Sequence, residues 1–289
     1  MNDTRKSEDI GLRQGYRLCN MPADKRLKFI AEGLPVILES ARSLYNASRA
    51  LKDFPREAEI LERQAEEESA KILILMDIIR CPAKVLPSRM GKMMKWFYDH
   101  LARLTYAEAQ GWKPTDMNML QEYVDNSRQS HYLEGEYGEY IVPNWTLFNR
   151  ETAMYADVMC DEDAEPAWCS PLRNTSPELF GRLEPVSYVI AEGLEAIGAF
   201  SDEGLRIVHE VWSRVEFIGD QDWSPSRELL QEMFVKLEAA KLVTDRVTES
   251  HVHNLRNNWQ LPMYHIDFSP ISVPLEKLRA RREAQAPYY

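Results

Sequence analysis

Apolar residues recur along most of the chain at steps of three and four, the spacing of one helix face, and few stretches alternate with period two. Leu27, Ile30, Leu34, Ile37, Leu38, Ala41, Leu44, Ala47 and Leu51 predict a first long helix over 24–52, with Pro35 expected to kink or divide it. Pro55 suits a helix start. The helix it opens, 55–80, carries Leu61, Ala65, Glu68, Ile72, Leu75 and Ile79 along one seam and stops at Cys81-Pro82. A third helix is expected over 88–110, its core face made by Met90, Met94, Phe97, Leu101 and Leu104, and a fourth over 116–130. Residues 132–145 hold two glycines and a proline and read as an ordered loop, after which Asn149 is expected to cap a fifth helix.

The stretch 160–185 turns acidic and proline-bearing, which marks it as a linker. Beyond it, helices are expected over 186–200, 202–217, 225–242 and 248–258. A short strand or extended piece follows at 266–273, and a charged helix at 275–284. The fold class is therefore all-α: an N-terminal lead (1–23), a helical bundle (24–175) and a smaller C-terminal helical region (186–289).

The formal net charge of −11 over 289 residues changes the picture in one respect. Such a chain has no global attraction for phosphates, so any nucleic-acid contact needs a local basic groove. The first 15 residues are polar, unlike a secretory signal, and no window approaches the roughly 18 apolar residues that span a bilayer. No membrane association and a cytoplasmic location are expected. Cys160, Cys169 and His131 match no usual zinc spacing, so neither a metal nor a cofactor is expected. Patterns for P-loops, dinucleotide sites, zincins and the common serine hydrolases are absent.

Candidate chemistry rests on a few ionisable residues. Glu68 breaks the apolar seam and can pair with Lys71; it is either a polar centre inside the bundle or a carboxylate at the seam's edge that reaches water. His100 and Arg103, three apart on one helix face, offer a proton carrier beside a phosphate-binding guanidinium, unless they form an ordinary half-exposed face. Tyr155 can orient a basic group across the bundle or fill the core with its ring. Lys95, Arg150 and Asp157 are candidates for contacting substrate.

Five short motifs occur in order: Glu39-Ser40-Ala41-Arg42-Ser43-Leu44; Ala65-Glu66-Glu67-Glu68-Ser69-Ala70-Lys71; His100-Leu101-Ala102-Arg103; Tyr155-Ala156-Asp157; and Trp168-Cys169-Ser170-Pro171. Over residues 25 to 175 this series resembles AbiV-type abortive-infection proteins. The resemblance implies a HEPN-like helical bundle, a homodimer, and a role in antiphage defence. Many HEPN proteins are metal-independent ribonucleases, and the first expectation is that this chain is one too, with His100 as acid or base, Arg103 aided by Lys95 or Lys71 at the phosphate, and Glu68 and Tyr155 holding these groups in place. The usual HEPN motif, an arginine followed four to six residues later by histidine, has no counterpart in the matched region. Lys95 to His100 has lysine for arginine, Arg128 to His131 is too short, and Arg246 to His251 lies outside it. The alternative is a non-catalytic module that binds a phage or host protein through its helical faces.

Overall fold

The computed structural model describes residues 10–134, 140–159, 165–171, 184–220, 224–259 and 261–285. The fold is all-α with two small hairpins. The first six helices are α1 (Ile10–Cys19), α2 (Ala23–Ala50), α3 (Pro55–Arg80), α4 (Leu86–Tyr98), α5 (His100–Gly111) and α6 (Met117–Ser127). Strands β1 (His131–Glu134) and β2 (Tyr140–Pro143) form one antiparallel hairpin, with Tyr132 opposite Val142. Helix α7 (Trp145–Met154) precedes a second hairpin, β3 (Asp157–Met159) and β4 (Ala167–Cys169). The remaining helices are α8 (Val186–Ala196), α9 (Asp202–Trp212), α10 (Ser224–Ala239), α11 (Glu249–Asn258) and α12 (Leu275–Gln285).

The two long helices fall where the spacing of apolar residues places them. Pro35 sits inside α2 without dividing it. α3 begins with Pro55 in its first turn, where the missing N–H costs no helix bond. The expected third helix is two: Asp99 leaves helical geometry, and its side chain accepts from the Ala102 N–H at 2.8 Å, capping α5. That break makes His100 the first residue of a new helix. Asn144, not Asn149, caps α7, accepting from Leu147 N. The segment expected as a loop forms the β1–β2 hairpin, and α1 lies within the N-terminal lead, where no helix was expected. The linker expected at 160–185 falls mostly outside the described residues.

α3 is the centre of the molecule. It packs against α2, α4 and α5 on the N-terminal side, and against α7, α8 and α9. From Ser69 to Arg80 every residue except Lys71 is buried. The C-terminal region, expected as an appendage, docks through α8 and α9 on α2, α3 and α5, with α10 on α9 and α11 on α8, and its apolar residues share one core with the N-terminal bundle. Burying a helix on all sides forces its polar residues to find partners inside. Asp77 and Arg80 do so next to each other: Arg80 Nε donates to Asp77 Oδ1 at 2.7 Å, while Tyr106 OH and the Met263 N–H, the latter at 2.6 Å, donate to Oδ2. The Arg80 guanidinium lies over the neighbouring rings of Trp259 and Trp212, 4.2 and 4.7 Å from their centroids. One ionic centre thus ties α3 and α5 to α9 and to the chain after α11. Among the described residues, no helix is long and apolar enough to cross a membrane.

The turn between α8 and α9 depends on Gly198, which adopts φ +80°. A Cβ there would lie 2.2 Å from the Leu242 carbonyl oxygen. Gly198→Ala is therefore expected to destabilise the fold by about 2–3 kcal/mol, read by urea denaturation, because both the dihedral and the contact are lost.

Candidate functional site

Two helices bring three basic side chains to one buried carboxylate on a third. The carboxylate is Glu67, about a third of a turn round α3 from the seam, with its side chain 2% exposed. Arg150 of α7 donates from Nε to Oε1 at 2.7 Å. Arg103 of α5, also largely buried, places Nη2 3.0 Å from Oε2. His100, at the start of α5, sets Nδ1 2.7 Å from the same Oε2. A charge buried this deeply persists only when paired and hydrogen-bonded, and here both oxygens are engaged.

The Nδ1 atom also lies 2.7 Å from Arg103 Nη2, so its protonation decides how the triangle closes. Without a proton, Nδ1 would turn its lone pair towards the carboxylate oxygen. With one, it donates to Glu67, and Arg103 keeps its own bond to the same oxygen. The second arrangement satisfies the carboxylate and leaves Nε2, on the far edge of the ring, with its lone pair. His100 is 53% exposed, so the ring spans from the buried Glu67 to solvent. An imidazole fixed in tautomer by a buried carboxylate, with its other nitrogen accessible, can take and return a proton. The Arg103 Nε is buried and has no hydrogen-bond partner among the described residues.

Of the residues singled out from the sequence, His100, Arg103 and Arg150 meet at this centre. Glu68 does not: it faces the seam's edge and pairs with Lys71, whose ammonium lies 5.8 Å from the centroid of the Phe97 ring. The inward carboxylate is its neighbour Glu67, which sequence reasoning passed over. Tyr155 is 58% exposed, because α7 ends at Met154 and the chain leaves the bundle there. Asp157 is exposed on β3 and accepts from the Val158 N–H, and Lys95 lies on the outer face of α4. None of these three is hydrogen-bonded to the Glu67 centre.

Other histidines serve the fold. His209 Nδ1 donates to the Ile79 carbonyl at 2.7 Å, and His251 closes a capping box with Thr248 at the start of α11. Arg246 pairs with Glu195, and Arg128 with Asp125. Cys160 lies outside the described residues. Among the described residues no group of three or more His, Cys, Asp or Glu is arranged to hold a metal ion.

A second acidic group lies beside the centre. The mostly buried Glu66 and Glu108 carboxyls come from α3 and α5, and Glu108 Oε2 accepts from the Thr146 hydroxyl of α7 at 3.4 Å. Burial, and then the charge of Glu108, pushes the Glu66 carboxyl up to about 7. Burial likewise raises Glu108, against the pull of the Thr146 hydrogen bond and of Arg63.

No family model, no curated protein and no solved structure matches the chain.

Proposed function

We propose that this chain cleaves RNA without a metal ion, with His100 as the proton carrier and Arg103 and Arg150 stabilising the phosphate. The observation that carries the reading is the bond from His100 Nδ1 to the buried Glu67, which frees Nε2 of a solvent-facing ring for proton transfer. In the reaction, neutral His100 takes the proton of an RNA 2′-hydroxyl. The 2′-oxygen bonds to phosphorus, the bond from phosphorus to the 5′-oxygen breaks, and that oxygen leaves with a proton from solvent. The products are a 2′,3′-cyclic phosphate and a free 5′-hydroxyl. Two guanidiniums facing one carboxylate leave positive charge for the phosphorane, which answers the electrostatic objection of an acidic chain at the one place where it counts. The resemblance to AbiV-type proteins supports placing this activity in antiphage defence and the working form in a homodimer.

Purified protein incubated with a mixed RNA pool in EDTA is expected to generate cyclic-phosphate ends. His100→Ala should slow cleavage by about 10²–10⁴-fold, the range for loss of a general acid–base. Equal cleavage by this variant would remove His100 from the chemistry.

A second reading, binding of a phage or host protein without catalysis, is favoured by the β3–β4 hairpin. There Trp168 is 83% exposed opposite Val158, itself 43% exposed. In that case Trp168→Ala abolishes capture of the partner from phage-infected cells, and His100→Ala leaves it intact.

A further inference from the structure

We propose that α4 is a track for single-stranded RNA: Lys92 and Lys95 hold phosphates, the Tyr98 ring stacks on a base, and the strand is delivered to His100 just beyond the helix's end. This names the substrate class of the centre described above and rests on the ribonuclease reading for its purpose. Charge is the first support. In a chain of net charge −11, α4 holds Arg89, Lys92 and Lys95 and no acidic residue. α1 packs along it, with Gly15 against Met94, exposes Tyr16 and Arg17, and has no acidic residue either. Among the described residues Lys92 and Lys95 form no hydrogen bond or ion pair, so both charges remain available to an anionic partner.

Geometry is the second. Lys92, Lys95 and Tyr98 are exposed and three residues apart, so they fall within a third of the circumference of α4 and climb about 4.5 Å at each step. From Lys92 to Tyr98 the stripe is roughly 9 Å long, room for about three stacked nucleotides. The Tyr98 ring is 41% exposed and is supported from behind. It meets Phe97 edge to face, 5.1 Å between centroids, and Phe97 packs on the core. Asp99, which ends α4, has its carboxylate turned to the Ala102 N–H and an extended backbone, so Tyr98 and His100 leave the chain on the same side. Lysines on phosphates carry no sequence preference, and a base reaches an aromatic face only outside a duplex. The strand is therefore single, and its sequence is read weakly.

The track is tested on the full chain with a fluorescein-labelled, unstructured 2′-O-methyl RNA, which lacks the nucleophile and is bound without being cut. Fluorescence anisotropy is followed against salt concentration. Lys92→Gln/Lys95→Gln should make the slope of log K against log salt shallower by about 1.4, the share of two phosphates on a single strand. Tyr98→Ala should weaken binding about 5- to 150-fold and leave the slope unchanged, because stacking releases no counterion; Tyr98→Phe should restore it. A duplex of the same sequence should be indifferent to Tyr98→Ala. No binding by the unmodified protein, an unaltered slope in the lysine variant, Tyr98→Phe no better than Tyr98→Ala, or an equal loss on the duplex would each overturn the proposal. Polyglutamate binding as tightly as the RNA would overturn it too, assigning the surface to an acidic protein. Binding that follows these rules in a protein that cleaves no RNA would leave the track and remove the ribonuclease. Cleavage untouched by the lysine and Tyr98 variants would do the reverse.

Discussion

Asp77→Ala is expected to destabilise the protein by about 3–5 kcal/mol, the cost of leaving one member of a buried ion pair without the other. The carboxylate is fully buried and holds three donors: the Arg80 guanidinium, the Tyr106 hydroxyl and the Met263 amide. Removing it takes an acceptor from each of the three where water does not reach. The facing tryptophans keep some attraction for the guanidinium but accept no hydrogen bond in its plane. Denaturation in urea measures the loss, and a change below about 1 kcal/mol would mean that the remaining contacts of Arg80 sustain it without the carboxylate. Charge removal can be separated from donor loss with Asp77→Asn, which keeps one acceptor oxygen and should fall between the two.

Glu67→Ala is the other large effect, and it acts twice. Without the carboxylate, Arg103 and Arg150 are left buried and facing each other, at a cost again of about 3–5 kcal/mol. The imidazole also loses the acceptor that sets its tautomer, so cleavage should drop by about as much as in His100→Ala. Groups acting as a unit are not additive, and the double variant Glu67→Ala/His100→Ala should cleave no more slowly than either single one. Multiplying losses in that variant would mean that Glu67 and His100 act separately. Because stability also changes, activity is compared at a temperature where circular dichroism shows each variant folded.

The bounds of α3 were legible almost to the residue, because Pro55 and Cys81-Pro82 punctuate a strong apolar period. Its role as the central helix was not. A seam of 4-3-4-3 spacing describes the contact with one neighbour and implies that the opposite face is wet. α3 instead has neighbours all round, so an inward position off the seam goes to Glu67, while Glu68, which breaks the seam, sits at its edge with Lys71. Three glutamates in a row on a helix did carry the signal: consecutive helical residues point about 100° apart, so a helix enclosed on all sides must bury one of them. His100 and Arg103 could be paired from their spacing alone. Arg150 could be named as a candidate but not joined to them, since 83 residues separate it from its carboxylate. Tyr155 was misplaced because the end of α7 carries no proline or glycine to announce it.

The bond between Asp77 and the Met263 amide spans 186 residues. At ribosomal speeds of about 5–20 residues per second, roughly 10–40 s pass between synthesis of the acid and of the amide that completes its shell. Through that interval the emerging chain carries an ionic pair that cannot be sealed from water, so the N-terminal helices are expected to stay loosely associated until the last few dozen residues arrive. Whatever chemistry the Glu67 centre performs is thereby withheld from a half-made polypeptide.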